Sequence, residues 1–414
     1  MVPELASIAG YLQIAPFPPA PNLLFWSALV IVAGALLGEA VFRWLGLPRI
    51  VGYSGVGLLI AGLGRGLPVD HLSGSVRLIV DLGLGLLLFE LGARVNLRWL
   101  RANPALLVTS AAEALLGFIA VFALLHWLGL GFNVALACAT LGVTGSAAVV
   151  SRVASELRSA GQVTERMITL TALNTLVCVL GFKLVVGWLH IDQAGNWVPA
   201  ISRPLYTFGG SVLLALLLTS LVGRVSRRLD LRDENSVLLL LGLLMLVLTG
   251  AHMLNISTLL VPLIAGVLLR NTSARPWVWP RHFGSAGGVL VLMLFVVVGA
   301  AWSLEAVAVG GLVAIALLVV RALAKSVAVV GLGWWSGITV RQSAALALTL
   351  TPISGTALVL LADLYRTHPD FAPQLAPIML SAIAFMELLG PIAVQWALRL
   401  AGEHPASERA AARG

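Results

Sequence analysis

The sequence predicts an all-α polytopic membrane protein of about 13 transmembrane helices, in two inverted repeats with two crossed broken helices. Three observations lead there. The first is composition: of 414 residues, 59% are hydrophobic and only 11% charged, and the mean hydropathy is +0.99. Soluble domains carry about 25% charged residues. The second is the placement of arginine between apolar stretches. The third is a short sequence that occurs twice, each time interrupting a hydrophobic segment.

A bilayer crossing needs about 20 apolar residues. The segments that meet this, in order, are 23–42, 50–66, 76–94, 104–127, 133–153, 164–190, 204–222, 235–253, 256–270, 286–304, 308–331, 342–364 and 377–399. The second and ninth are short and contain glycine. The eighth and ninth nearly abut, and merging them would give twelve. Residues 1–22 carry five prolines, one acid (Glu4) and no basic residue, which reads as an exposed lead-in rather than a signal peptide. The transmembrane domain is therefore expected over 23–400, with a first repeat at 23–190, a linker helix at 204–222 and a second repeat at 235–399. Residues 401–414 form a polar tail.

Charge tests this layout. With the N-terminus outside, the cytoplasmic loops collect 19 arginines, among them Arg43, Arg49, Arg94, Arg98, Arg101, Arg224, Arg228, Arg270, Arg341 and Arg399. The outer loops collect 4: Arg65, Arg77, Arg203 and Arg366. Short cytoplasmic loops are enriched in basic residues, so the bias predicts an odd number of spans, with the N-terminus outside and the C-terminus in the cytoplasm of a bacterial inner membrane. The net charge of +8 is topogenic on this reading and does not indicate nucleic acid. Two cysteines in apolar stretches, Cys138 and Cys178, predict no disulfide framework.

The repeated sequence is Val143-Thr144-Gly145-Ser146-Ala147-Ala148-Val149-Val150, which returns as Ile353-Ser354-Gly355-Thr356-Ala357-Leu358-Val359-Leu360. Glycine weakens a helix, and hydroxyls can replace lost backbone partners. Pro352, just before the second copy, strengthens the expected break there. Leu59-Ile60-Ala61-Gly62 matches Leu263-Ile264-Ala265-Gly266, and Leu88-Phe89 with Gly92 matches Leu294-Phe295 with Gly299. The order and spacing suggest one unit used twice. Segments 1–6 would pair with 8–13, seven apart and hence antiparallel. Matched interruptions in inverted halves point to the substrate site of a secondary transporter. No Walker A sequence and no GxGxxG after a strand occur, so neither ATP hydrolysis nor nucleotide sensing is expected. No enzyme, cofactor or metal pattern is read.

Charges inside spans are the candidates for chemistry, since each costs at least about 2.5–3.5 kcal/mol at membrane depth. Lys183, Lys325 and Arg321 are the bases, with Arg321 and Lys325 on one helix face. Snorkelling to an interface is open to both lysines and less so to the deeper Arg321. Glu90, Glu113 and Glu387 are the acids, with Glu39, Asp81 and Asp363 nearer the ends. Any of these acids could instead make a structural ion pair, and Glu39 should pair with Arg43 one turn on. The repeat offset makes Glu113 and Arg321 pseudo-symmetric and sets Glu387 opposite Thr175. Asn174 and Thr175, mid-span, could coordinate a cation or simply bond a neighbouring helix. Thr144, Ser146, Thr351, Ser354 and Thr356 surround the breaks. Two broken helices meeting head-on bring like dipole ends together, so the negative ends require a cation such as Arg321 or Lys325 and the positive ends an acid. Close packing through small residues is the alternative explanation of the two glycine motifs.

Leu47-Pro48-Arg49-Ile50-Val51-Gly52-Tyr53 running to Ala61-Gly62, Leu86-Leu87-Leu88-Phe89-Glu90-Leu91-Gly92 with Asn96-Leu97, Phe295 to Gly299, Arg321 to Lys325, and Pro352 to Gly355 occur in a fixed order. In that order they resemble the bacterial monovalent cation:proton antiporters, the branch of sodium/proton and potassium-efflux antiporters, across residues 23–400 and without a soluble nucleotide-binding domain. The resemblance implies a core domain holding the crossed helices, a separate dimerisation domain, a homodimer, and elevator-type exchange of Na⁺ or K⁺ for protons. It also implies an ion-binding aspartate at 174 or 175, where this chain has Asn174-Thr175, and often a Glu after the second glycine, where it has Thr356. Neither amide nor hydroxyl titrates near neutral pH. Glu387 first, then Glu90 or Glu113, is expected to take the proton. The alternatives are an uncoupled, channel-like ion pathway and a non-transporting sensor on the same fold.

Overall fold

The computed structural model describes residues 23–67, 74–194, 198–228, 234–272, 283–353 and 355–404, and among them it contains sixteen α-helices and no strand. Every predicted segment is helical. The first three hold α1 (Leu23–Ala40), α2 (Arg49–Ile60) and α3 (Gly74–Arg94). The six-residue α4 (Leu97–Ala102) leads into α5 (Pro104–Trp127). The fifth segment is split into α6 (Phe132–Val143) and α7 (Ala147–Leu157), and α8 (Gln162–Ala194) and α9 (Val198–Arg228) follow. Next come α10 (Glu234–Met253), α11 (Leu260–Thr272), α12 (Phe283–Ala300) and α13 (Leu304–Gly333). The twelfth segment is split into α14 (Val340–Thr349) and α15 (Gly355–Thr367), before α16 (Ala372–Ala401). By length and composition, 7 helices can cross a membrane, and 4 further apolar helices are shorter.

Helix limits have local causes. Asn96 accepts from the amides of Arg98 and Trp99 to start α4, and Pro104 opens α5, where its missing N–H costs nothing. Thr339 and Gln342 form a reciprocal capping box at α14. Glu403 caps a helix remote in sequence: its carboxylate accepts from the amides of Val163 and Thr164, both at 2.7 Å, and from the Thr164 hydroxyl at 2.6 Å. These are orphan donors of the first turn of α8. One boundary differs from the sequence reading and one open point is decided in its favour. The linker helix runs beyond 204–222 at both ends, because hydropathy marks only its apolar middle while the helix continues through Arg203 and Ser226. The eighth and ninth segments are two helices, separated where Asn255 turns left-handed at φ 55°.

The loops fall into two groups by contact. Arg49 bonds Glu156 at 3.0 Å, Arg94 bonds Ser155, Asn271 accepts from Leu97 N, and Arg166 donates to Ser336 O. At the other end, Arg77 bonds Asp363 at 2.9 Å, Thr258 bonds Asp81, and Leu67 N donates to Ala300 O. These are the two groups that the arginine count separated, so the helices alternate as the topology requires. As expected, Arg43 also bonds Glu39.

The two repeats pack through each other. A Cβ on Gly57 of α2 would lie 2.2 Å from Val296 O of α12, and one on Gly299 would lie 2.6 Å from Ser54 O. A Cβ on Gly92 of α3 would lie 2.2 Å from Leu263 O of α11, and one on Gly266 would lie 2.3 Å from Phe89 O. Only glycine permits such an approach. The two crossings are related by the repeat, and they correct one sequence match. Gly92 and Gly299 are 207 apart, as read, but the partner of Gly266 by symmetry is Gly57, 209 away, not Gly62. The Leu59–Gly62 match was a local coincidence of common apolar residues. A large hydrophobic cluster surrounds the broken helices, and a smaller one joins α3, α9, α10 and α11.

Candidate functional site

Both broken segments lose helical geometry where their hydroxyl–glycine motifs lie. α6 stops at Val143, Thr144 is extended (φ −59°, ψ 146°), and Ser146 caps α7 by accepting from Val149 N at 3.2 Å. α14 ends at Thr349, and α15 resumes at Gly355. Ser354 lies outside the described residues. The second break contains Pro352, against which Gly390 of α16 packs.

One side chain joins the two breaks. Arg321 of α13 is fully buried. It donates to the carbonyls of Gly142 and Thr144 at the end of α6, and of Leu350 and Thr351 at the end of α14, over 2.5–3.2 Å. Each helix C-terminus carries roughly −0.5 elementary charge, so two of them balance one guanidinium. The planar fork of arginine spreads five N–H donors over several carbonyls in a fixed geometry, against three on the compact ammonium of lysine. The expected cation at the negative half-ends is therefore Arg321, and Lys325 assists by donating to Val143 O at 3.1 Å.

Lys325 does not snorkel. It is 0% exposed, and its ammonium lies 2.6 Å from the Glu113 carboxylate of α5, itself 0% exposed. Asn174 of α8 donates its amide hydrogen to the other Glu113 oxygen. The cluster Glu113–Lys325–Arg321–Asn174 thus draws on α5, α8 and α13 and closes on both breaks. Among the described residues the Asn174 Oδ1 and Thr171 Oγ1 atoms are buried without a hydrogen-bond partner. Thr171, which the sequence reading passed over, faces Gly145. Its signal was helical spacing, since Thr171, Asn174 and Cys178 form one stripe of α8, and Cys178 lies beside Thr144.

The remaining candidates lie elsewhere. Thr175 is buried and donates to Thr171 O of its own helix, at 2.8 Å. The Thr144 hydroxyl donates to Gly145 O, and that of Thr351 to Leu348 O. Thr356 is buried in the first turn of α15. Glu387 of α16 is buried and accepts from the Ser54 hydroxyl of α2 at 2.9 Å, one turn from Gly390 and the second break. Glu90 is not with Glu113: it pairs with Arg94 at 2.7 Å at one mouth of the molecule, in a cavity of about 520 Å³ shared with Glu165 and Arg270. Lys183 lies at the opposite mouth, 3.7 Å from Asp363.

Comparison with known proteins agrees with this architecture. The sodium proton antiporter MjNhaP1 of Methanocaldococcus jannaschii, solved at pH 8, superposes with a TM-score of 0.64 at 16% identity, covering 91% of this chain and 95% of that one. A structure of MjNhaP1 determined from an EM map gives 0.69 at 15% identity, covering 92% and 95%. At these identities the likeness is one of fold. By sequence alone, no curated protein matches the chain. The family model described as sodium/hydrogen exchanger, transmembrane, matches residues 29–400. With crossed broken helices, antiparallel repeats and that match over nearly the whole chain, this multi-pass membrane protein belongs to the sodium/hydrogen exchanger family.

Proposed function

We propose that the protein is a secondary antiporter that exchanges Na⁺ or K⁺ for protons through a non-standard ion site centred on Glu113. It works as a homodimer in a bacterial inner membrane, N-terminus outside and C-terminus in the cytoplasm. The carrying observation is the buried Glu113–Lys325 pair beside Asn174, at the junction of the broken helices. Where the family resemblance leads one to expect an acid on α8, at 174 or 175, this chain has Asn174-Thr175. A carboxylate from α5 occupies the same junction instead.

The chemistry follows from exclusion. A carboxylate can hold a proton or a cation, and one that reaches each side of the membrane in turn exchanges them. Asn174 Oδ1 is a suitable second oxygen for a hard cation. Lys325 neutralises Glu113 when neither is bound, which spares the site the cost of an isolated buried charge. Geometry moves the preference from Glu387 to Glu113, whose carboxylate is bound by Lys325 and Asn174 beside the junction of the two breaks. Neutral Asn174 and Thr175 favour a second reading, an uncoupled ion pathway in which the Glu113–Lys325 pair stays closed.

The test is proton flux in proteoliposomes under imposed Na⁺, K⁺ and anion gradients. Glu113→Gln alone strands the Lys325 charge, a loss of about 3–5 kcal/mol. The double variant Glu113→Gln/Lys325→Met removes both charges and should keep the fold. Wild-type protein is expected to couple cation and proton flux, and the double variant to lose at least 10-fold of it. Normal coupling in the double variant would return the role to Glu387. Ion leak without proton flux in the wild type would establish the uncoupled pathway.

A further inference from the structure

A second charged centre lies at the mouth opposite Glu90, and the exchange chemistry does not use it. A cavity of about 490 Å³ is lined there by Arg77, Lys183, Arg203, Arg366 and His252. Among the described lining residues the only acid is Asp363, and Asp81 lies behind it, bonded to Arg77 and Thr258. Among the described residues, four basic side chains thus face two acids. Arg77 is 5% exposed, and its Nη1 has no hydrogen-bond partner among the described residues, although its Nε and Nη2 are engaged by Asp81 and Asp363. A buried guanidinium nitrogen without an acceptor is costly, and an anion in the cavity would supply one.

The surplus charge argues against the cavity as a cation's route, because it raises the potential where a cation would enter. It suits a phosphate group, which basic forks of this kind bind in several contacts. The depth fits as well: Tyr206 lines the cavity, and Trp188, next to Gly187 of its wall, is 45% exposed. Half-exposed Tyr and Trp mark the headgroup level of a bilayer.

Its walls come from different parts of the molecule. Lys183 of α8 and Asp363 and Arg366 of α15 stand on helices of the cluster that surrounds the breaks, whereas Arg203 of α9 and Ile256 belong to the side packed by α9, α10 and α11. We propose that this cavity binds the phosphate group of an anionic ligand, a phospholipid headgroup or free phosphate, and by bridging the two clusters slows exchange. The slowing rests on the alternating movement proposed above; the binding does not.

The experiment uses purified, delipidated full-length protein in detergent. It is titrated separately with inorganic phosphate, short-chain phosphatidylglycerol and an uncharged glycolipid, and binding is read by native mass spectrometry and thermal shift. Arg203→Gln/Arg366→Gln alters only exposed rim residues, so it should fold. Binding of phosphatidylglycerol or phosphate, weakened at least 10-fold in the variant and absent for the glycolipid, supports the site, and the arm that binds identifies the source. No binding in either anionic arm, or binding untouched by the variant, overturns it. In proteoliposomes the bound anion should cut flux several-fold in wild type and not in the variant. Binding without that effect overturns the brake. Absence of any flux in ligand-free protein would instead sink the transport reading, leaving the binding result to stand by itself.

Discussion

Arg321 decides whether two broken helices can meet at all. Its four carbonyl bonds are charge-assisted, each contributing about 1.5–3 kcal/mol, and they hold both negative helix ends. Arg321→Lys keeps the charge and loses the fork, so it should destabilise the protein by roughly 3–5 kcal/mol. Thermal unfolding in detergent would measure this, and a wild-type midpoint would mean that charge alone suffices. The need for a cation here was legible in the sequence, because matched breaks in inverted segments imply facing dipoles. The division of labour was not. Arg321 and Lys325 are one turn apart and look equivalent in the sequence. Only the packing of α5 against α13 shows that Arg321 binds backbone at both breaks while Lys325 pairs with Glu113 and donates to one carbonyl. Repeat offset ranks Glu387 first but locates only a helix, and the pairing of Glu113 with Lys325 depends on side-chain faces that no offset gives.

At the scale of the helix, the tightest contacts are the glycine crossings of α2 with α12 and of α3 with α11. A methyl group on Gly57 or Gly266 meets backbone at 2.2–2.3 Å, which cannot move aside as a side chain would. Gly57→Ala and Gly266→Ala should each destabilise by about 1–3 kcal/mol, and by similar amounts if the repeat relates them. Gly62→Ala is the control: nothing lies within 4 Å of its Cβ, so the change should stay within about 0.5 kcal/mol. Denaturation midpoints of the three variants distinguish the 209-residue register from the one that matches Gly62 to Gly266. Helix positions were legible throughout, because apolar length fixes them. Helix ends were less so: α9 continues into polar sequence, and the cap that Glu403 places on α8 joins residues 240 apart.

For the whole molecule, the two loop groups fix which helix ends share a face, and the arginine bias orients that arrangement. Reporter fusions should find the N-terminus outside and the C-terminus in the cytoplasm. Finding both on one side would contradict the ion pairs that tie the loops of each face together.

The glycine crossings also carry a history. Each joins a helix of one repeat to a helix of the other, so neither half buries its own closest-packing surface. A half-length forebear could have covered those surfaces only with a second copy inserted upside down, which requires a protein that enters the membrane in both orientations. In such a pair, identical chains carry identical residues, and the positions now held by Glu113 and Arg321 would have borne the same charge twice, or none. Acid on one half and base on the other became possible only once the halves were fused and free to diverge. On that account the opposite charges of Glu113 and Arg321 postdate the joining of the two halves.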